Sequence, residues 1–159
     1  MRKRRLLFSL ILIAVALWCA LLFAPPVAVR TGGEGAEWGS MAALPFSMVC
    51  HRIPERCFWL WGVPLAACSR CTGLFVGFLG GTAFFPLVAR RFPGRFPKAR
   101  LFGVAAAPLC LDFGLSHLGI VESSNWIRGL TGLVFGLVLP LYLVPGILDA
   151  VLNHRDRRG

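Results

Sequence analysis

Residues 68–91 read CSRCTGLFVGFLGGTAFFPLVARR, and the way this stretch is built decides the fold. From Thr72 to Ala89 no side chain is charged, and at about 1.5 Å per residue such a run nearly spans the roughly 30 Å of a bilayer's hydrocarbon core as a helix. It opens on two cysteines and closes on two arginines. Three further runs have the same character: Leu6 to Ala24, Leu101 to Val121 and Gly129 to Leu148. Only the third of the four carries an acid or a histidine, Asp112 and His117. A chain of 159 residues with 57% hydrophobic and 15% charged residues and a mean hydropathy of +0.71 is too apolar for an ordinary soluble domain. The expectation is an all-α integral membrane bundle of four transmembrane helices, one membrane domain over residues 1–159.

The net charge of +10 invites a nucleic-acid reading, but the placement of the basic residues argues against it. Arg2, Lys3, Arg4 and Arg5 precede the first run. Arg90, Arg91, Arg95, Lys98 and Arg100 fill the second connection, and Arg155, Arg157 and Arg158 follow the last run. These twelve fall on one side of a four-span arrangement, against Arg30, Arg52, Arg56, Arg70 and Arg128 on the other. The positive-inside rule then predicts a multi-pass protein of the cell membrane with both termini cytoplasmic. The basic, apolar start also resembles a secretory signal peptide, but Ala24-Pro25-Pro26 offers no small-x-small cleavage site, and a retained anchor helix is expected.

Residues 25–71 form a connection too long and too apolar for a floppy linker, and a cap on the outer surface is expected. Gly32-Gly33-Glu34-Gly35 is its flexible polar part. Trp38 to Val49 suits a short interfacial helix, and Phe58, Trp59, Leu60 and Trp61 form an aromatic cluster of the kind found at membrane boundaries. Gly62-Val63-Pro64 marks a turn, and Pro93, Gly94 and Pro97 break the connection between spans two and three. Gly73, Gly77 and Gly81, like Gly132 and Gly136, recur every four residues, the spacing that lets transmembrane backbones approach closely.

The chemistry-bearing cluster is Cys50-His51, followed by Cys68-Ser69-Arg70-Cys71. A C-x-x-C pair holds a metal, cycles between dithiol and disulfide, or forms a static disulfide. Cys50 and His51 supply the further ligands that the metal reading needs, giving Cys50, His51, Cys68 and Cys71 as a tetrahedral set for Zn²⁺, with iron as the alternative. Adjacent residues point in different directions, so Cys50 and His51 need not reach one ion together. Cys57 is a spare thiol. An oxidising outer location equally permits a disulfide between the Cys50 or Cys57 region and the C-x-x-C, so both readings stay open. Cys19 and Cys110 read as small apolar residues within spans.

Asp112 lies near the middle of span three, where a carboxylate costs a few kcal/mol or more unless it is paired, protonated or hydrated. Ser116 lies one turn above it on the same face. His117 is near the outer end, within reach of Cys71, and Arg128 enters span four from the same side. Asp112 and His117 are the candidate catalytic groups, and a structural ion pair fixing helix register is the plainer reading of Asp112.

Together Cys50-His51-Arg52-Ile53-Pro54-Glu55-Arg56-Cys57-Phe58 and Cys68-Ser69-Arg70-Cys71-Thr72-Gly73 resemble the signature of the domain of unknown function 2085 family, small predicted microbial membrane proteins. That signature is C-H-x-x-P-E-R-S-F followed by C-x-R-C-T-G. The resemblance extends to Asp112 and to the run from Ser124 to Gly132. It implies that Cys50, His51, Glu55, Arg56, Cys68, Arg70, Cys71, Asp112, Asn125 and Arg128 belong to one shared site. The chain departs at Cys57, where the pattern has Ser, which lowers the standing of Cys57 as an essential ligand.

The function expected from all of this is a metal-binding, zinc-like site at the outer face above a polar intramembrane pocket lined by Glu55, Arg56, Arg70, Asn125 and Arg128. Two rivals stand beside it: a membrane thiol-disulfide or quinone-linked oxidoreductase using Cys68 and Cys71, and a small proton- or cation-coupled carrier using Asp112. The expected partners are the lipid bilayer, a lipid or quinone ligand, and a second copy of the chain.

Overall fold

The computed structural model describes residues 2–32, 35–91 and 99–156. Gly33 and Glu34 of the expected flexible polar part, the breaks at Pro93, Gly94 and Pro97, and the basic residues Arg95, Lys98, Arg157 and Arg158 lie outside the described residues. Among the described residues four candidate spans are present, as the long apolar runs require. Helix α1 covers Arg2–Leu21, α4 covers Ser69–Arg91 and α5 covers Ala99–His117. The fourth span, Asn125–Leu152, is built from α6 (Asn125–Val138) and α7 (Pro140–Asp156). Pro140 has no N–H to give, which divides the two, but Leu139 between them keeps helical φ −54° and ψ −42° and the backbone runs on.

Every span boundary shifts by two to four residues from the sequence reading: the first span ends at Leu21, with Ala24 opening the next helix, and the second extends from Ser69 to Arg91. Two of the shifts have a visible cause. The third span stops at His117 rather than Val121, and Gly119 turns the chain with φ +70°. The fourth begins at Asn125 rather than Gly129, because the Ser124 side chain caps α6 by accepting from the Ile127 N–H at 3.3 Å.

The tightest helix contact joins α4 to α6, and glycine is what permits it. A Cβ on Gly73 would fall on the Gly129 carbonyl, one on Gly77 on the Leu133 carbonyl and one on Gly81 on the Leu137 carbonyl. In return, Gly132 and Gly136 face the backbones of Arg70 and Leu74. Rising numbers meet rising numbers, so the two helices run parallel. Helix α1 lies antiparallel to α4 through Phe8 with Phe85 and Trp18 with Phe75, ring centroids 6.1 and 6.0 Å apart. Phe102 of α5 meets Phe135 of α6 at 5.4 Å and Tyr142 of α7 at 5.5 Å. Exposed Leu6, Leu10, Ile13 and Leu17 recur at helical spacing along α1, an apolar stripe suited to lipid.

The segment between α1 and α4 is a cap with structure of its own. Helices α2 (Ala24–Thr31) and α3 (Gly35–Ser47) pack on each other, with Gly39 against Ala28. A two-stranded antiparallel hairpin follows, β1 (Cys57–Leu60) and β2 (Val63–Cys68). Its two-residue turn places both Trp61 (φ +52°) and Gly62 (φ +76°) in the left-handed region, as a tight hairpin turn matching strand twist demands. Gly62 adopts this freely. Trp61 does so at a steric cost and is packed under Arg30, whose guanidinium lies 4.9 Å from the ring centroid. Leu22, Ala43, Phe46, Cys50, Ala66 and Ala67 form the buried core that seats the cap on α1. The Ala66 N–H donates to the Leu22 carbonyl at 3.0 Å.

Candidate metal centre and the polar site beside it

The sulfurs of Cys50, Cys68 and Cys71 lie within 4.8 Å of one another. Each comes from a different kind of local structure: Cys50 from the segment after α3, Cys68 from the last rung of β2 and Cys71 from the first turn of α4. All six cysteines are free thiols. The Cys50 sulfur accepts from the Cys68 backbone N–H at 3.3 Å and from the backbone of Arg52, which the chain reaches with φ +47°. The Cys71 backbone bonds the Cys68 sulfur in the same way, so this sulfur caps the start of α4.

These bonds favour negative charge on sulfur. Hydrogen bonds from the Cys68 and Cys71 thiols, helped by the two backbone donors, outweigh burial and hold Cys50 far below the ordinary 9.0, at about 2. Cys68, as the thiol donating to Cys50, is correspondingly raised. Cys57 stands apart from the group: its thiol donates to the Ile53 carbonyl at 3.3 Å, and burial pushes it up to about 11. Three converging sulfurs with N–H donors behind them suit a thiophilic ion such as zinc, whose structural sites take four ligands. His51 is exposed and lies outside this three-sulfur group.

Arg70, between Cys68 at the end of β2 and Cys71 in the first turn of α4, turns toward α5. Its Nε donates to Asp112 Oδ2 at 3.0 Å, Nη2 reaches the same oxygen, and the guanidinium lies 5.5 Å from the Phe113 ring centroid. Asp112 Oδ1 accepts from the Ser123 hydroxyl, and Ser123 in turn meets Ser116 at 3.0 Å. The buried carboxylate therefore has both oxygens engaged. Among the described residues its ion-pair partner is Arg70 of α4 and not Arg128 of α6. His117 is exposed and stacks on Phe113, centroids 5.8 Å apart.

Asn125 joins the cap to the bundle. Its Nδ2 donates to the carbonyls of Glu55 (3.0 Å) and Cys57 (3.1 Å), and its Oδ1 accepts from the Ser69 hydroxyl at 3.4 Å. Glu55, Arg56, Asn125 and Arg128 line one cavity of about 470 Å³, together with Ser116, Glu122 and Ser123. The residues singled out in the sequence thus divide into a sulfur group and a polar cavity, with Arg70 and Asp112 running from one toward the other. Ser69 and Ser123 escaped the sequence reading. A serine before a helix gives a cap signal, which finds Ser124, but nothing marks the hydroxyls that complete Asn125 and Asp112.

A small α-helical membrane protein of four candidate spans, with a three-cysteine cluster able to hold a metal ion, is the class this fold and site define. The chain belongs to the family described as predicted membrane protein (DUF2085), whose model matches residues 50–142. An uncharacterized protein of Methanocaldococcus jannaschii is 26% identical over 147 residues, 91% of this chain and 94% of that one. An uncharacterized protein of Methanothermobacter thermautotrophicus is 34% identical over 116 residues, 72% of this chain and 96% of its own length. No solved structure matches the chain.

Proposed function

We propose that the protein is a zinc-holding membrane protein of the cell envelope, a single domain over its whole length, with both termini cytoplasmic and the cap outside. Cys50, Cys68 and Cys71 are the ligands, and His51 or a water completes the tetrahedron. The observation that carries this reading is the convergence of three sulfurs, two of them accepting backbone N–H bonds. A disulfide uses two sulfurs and leaves the third without purpose. An ion uses all three, and the N–H donors lower the cost of gathering negative charge in a partly buried place. Iron suits the same sulfur set.

The polar cavity is the place where a ligand meets this centre, with Arg56 and Arg128 offering positive charge and Glu55 and Glu122 negative. With both carboxylate oxygens engaged, Asp112 acts in this reading by holding Arg70 and Ser123 in position. Elemental analysis of purified protein is the test. About one zinc per chain is expected in the wild type and none above background in the Cys68→Ser/Cys71→Ser variant; a metal-free wild type overturns the reading.

A thiol oxidoreductase is the second reading, favoured by the C-x-x-C spacing of Cys68 and Cys71 and by their sulfurs lying within 4.8 Å of each other. Mass-tag alkylation after cycles of oxidant and reductant separates the two. A Cys68–Cys71 disulfide that forms and breaks reversibly favours it, and a pair protected until a chelator is added favours zinc.

A further inference from the structure

Cys57 and Cys68 are partners across the hairpin: in the β1–β2 register, Cys57 stands directly opposite Cys68. Residues so placed in an antiparallel ladder point to the same face with Cα atoms about 4.5–5.5 Å apart. A disulfide needs a Cα separation of about 4.4–6.8 Å, so this rung is within its span without moving either strand. It is also the open end of the hairpin, the first residue of β1 and the last of β2, next to an irregularity in the ladder. Small adjustments are least costly there.

The two thiols occupy different situations. Cys57 is 1% exposed, donates to the Ile53 carbonyl and belongs to no ligand group. Cys68 is partly exposed and is one of the three converging sulfurs. Of this pair Cys68 is therefore the one a small oxidant reaches, and the thiol waiting across the rung is the one that no metal holds.

We propose that Cys57 and Cys68 are a disulfide-forming pair through which an oxidant of the peroxide class dismantles the metal centre. In the first step the Cys68 sulfur attacks peroxide and breaks its O–O bond, giving the sulfenic acid and hydroxide from the zinc-bound thiolate, or the sulfenic acid and water from the metal-free thiol. In the second, the Cys57 sulfur displaces the sulfenic hydroxyl: the S–O bond breaks, the S–S bond forms, and the thiol proton leaves with the hydroxyl as water. The two cysteines are oxidised by two electrons and peroxide is reduced. Cys68 is then withdrawn, and two sulfurs remain where there were three. A dithiol reductant reverses the linkage. The consequence for the metal rests on the zinc reading above, whereas the linkage itself does not.

The experiment treats zinc-loaded and chelator-stripped protein in detergent with hydrogen peroxide, quenches with an alkylating agent, and maps linked peptides by mass spectrometry. A chromophoric chelator follows zinc release in parallel. Cys57–Cys68 is the expected linkage in both preparations, with zinc released in step with it and retained again after reduction. In Cys57→Ser, whose hydroxyl keeps the bond to Ile53, zinc release should slow by at least about tenfold, because no resolving thiol faces Cys68. A linkage among Cys50, Cys68 and Cys71 instead, or over-oxidation of Cys68 with no linkage, overturns the proposal. If the wild type carries no zinc, the metal reading fails while the peptide map still decides the pair.

Discussion

Arg70 Nε lies 3.0 Å from Asp112 Oδ2, so an arginine flanked by two ligand-type cysteines is held by the buried acid of a different helix. The Asp112 side chain is 5% exposed and that of Arg70 is 21%, and in such surroundings neither charge is easily left alone. Removing one partner should cost more than removing both.

Asp112→Asn and Arg70→Met are each expected to destabilise the protein by about 3–5 kcal/mol, with the double variant much less affected than the sum. Thermal unfolding in detergent, arranged as a double-mutant cycle, measures this. Additive single effects would show that the pair does not couple α4 to α5.

Gly77→Ala and Gly132→Ala should each destabilise by about 1–3 kcal/mol, since the added methyl meets backbone that cannot yield. Gly103→Ala and Gly114→Ala, where a Cβ meets nothing within 4 Å, should leave stability unchanged or slightly raised. The same melting measurement compares the four. Equal effects in both pairs would remove the glycine contact as the reason α4 and α6 lie so close.

Zinc uptake by metal-free protein near pH 7 should release fewer than three protons. Three ordinary thiols at 9.0 would release about three, but Cys50 is held at about 2 by its hydrogen bonds and has already given up its proton. Calorimetric titration in buffers of differing ionisation enthalpy counts them. A full count of three contradicts the thiolate character assigned to Cys50.

The buried Cys57 thiol sets a limit on the alkaline side. Its folded value of about 11 lies above the ordinary 9.0, so the neutral form is the one the fold favours. Stability linked to it is fully present below pH 9 and is lost as pH rises through 11. Zinc-loaded wild type should therefore lose up to about 3 kcal/mol across that window relative to Cys57→Ser, read from denaturant midpoints at each pH. Parallel curves for the two proteins would show that burial of Cys57 does not carry the shift.

The four spans were legible because an apolar run of 18 or more residues, uncharged in three of them and broken by a single acid in the third, has few other uses, and the metal-type spacing of Cys50, Cys68 and Cys71 announced itself. The α4–α6 contact was half legible: the glycine spacing pointed to close packing but not to the partner helix. The hairpin was not legible. Residues 57–60 and 63–68 are apolar at nearly every position and include Pro64, so the alternation that reveals a strand is missing, and only the turn around Gly62 showed. Nor could sequence choose Arg70 over Arg128 for Asp112, because that depends on how α4 and α5 are rotated about their axes. The pattern put His51 beside Cys50 and left open whether both could reach one ion. The turn at Arg52 bonds the backbone to the Cys50 sulfur, and His51 stands exposed.

The amide of Asn125 binds carbonyls 70 and 68 positions earlier in the chain, at Glu55 and Cys57, along with the Ser69 hydroxyl. This fixes an order of events in biosynthesis. When the cysteine segment emerges from the ribosome, the residue that fastens the cap to the bundle has not yet been made. The clasp closes only after the third span is in place and the fourth has begun, so the centre is assembled from its early parts and secured by one of the last.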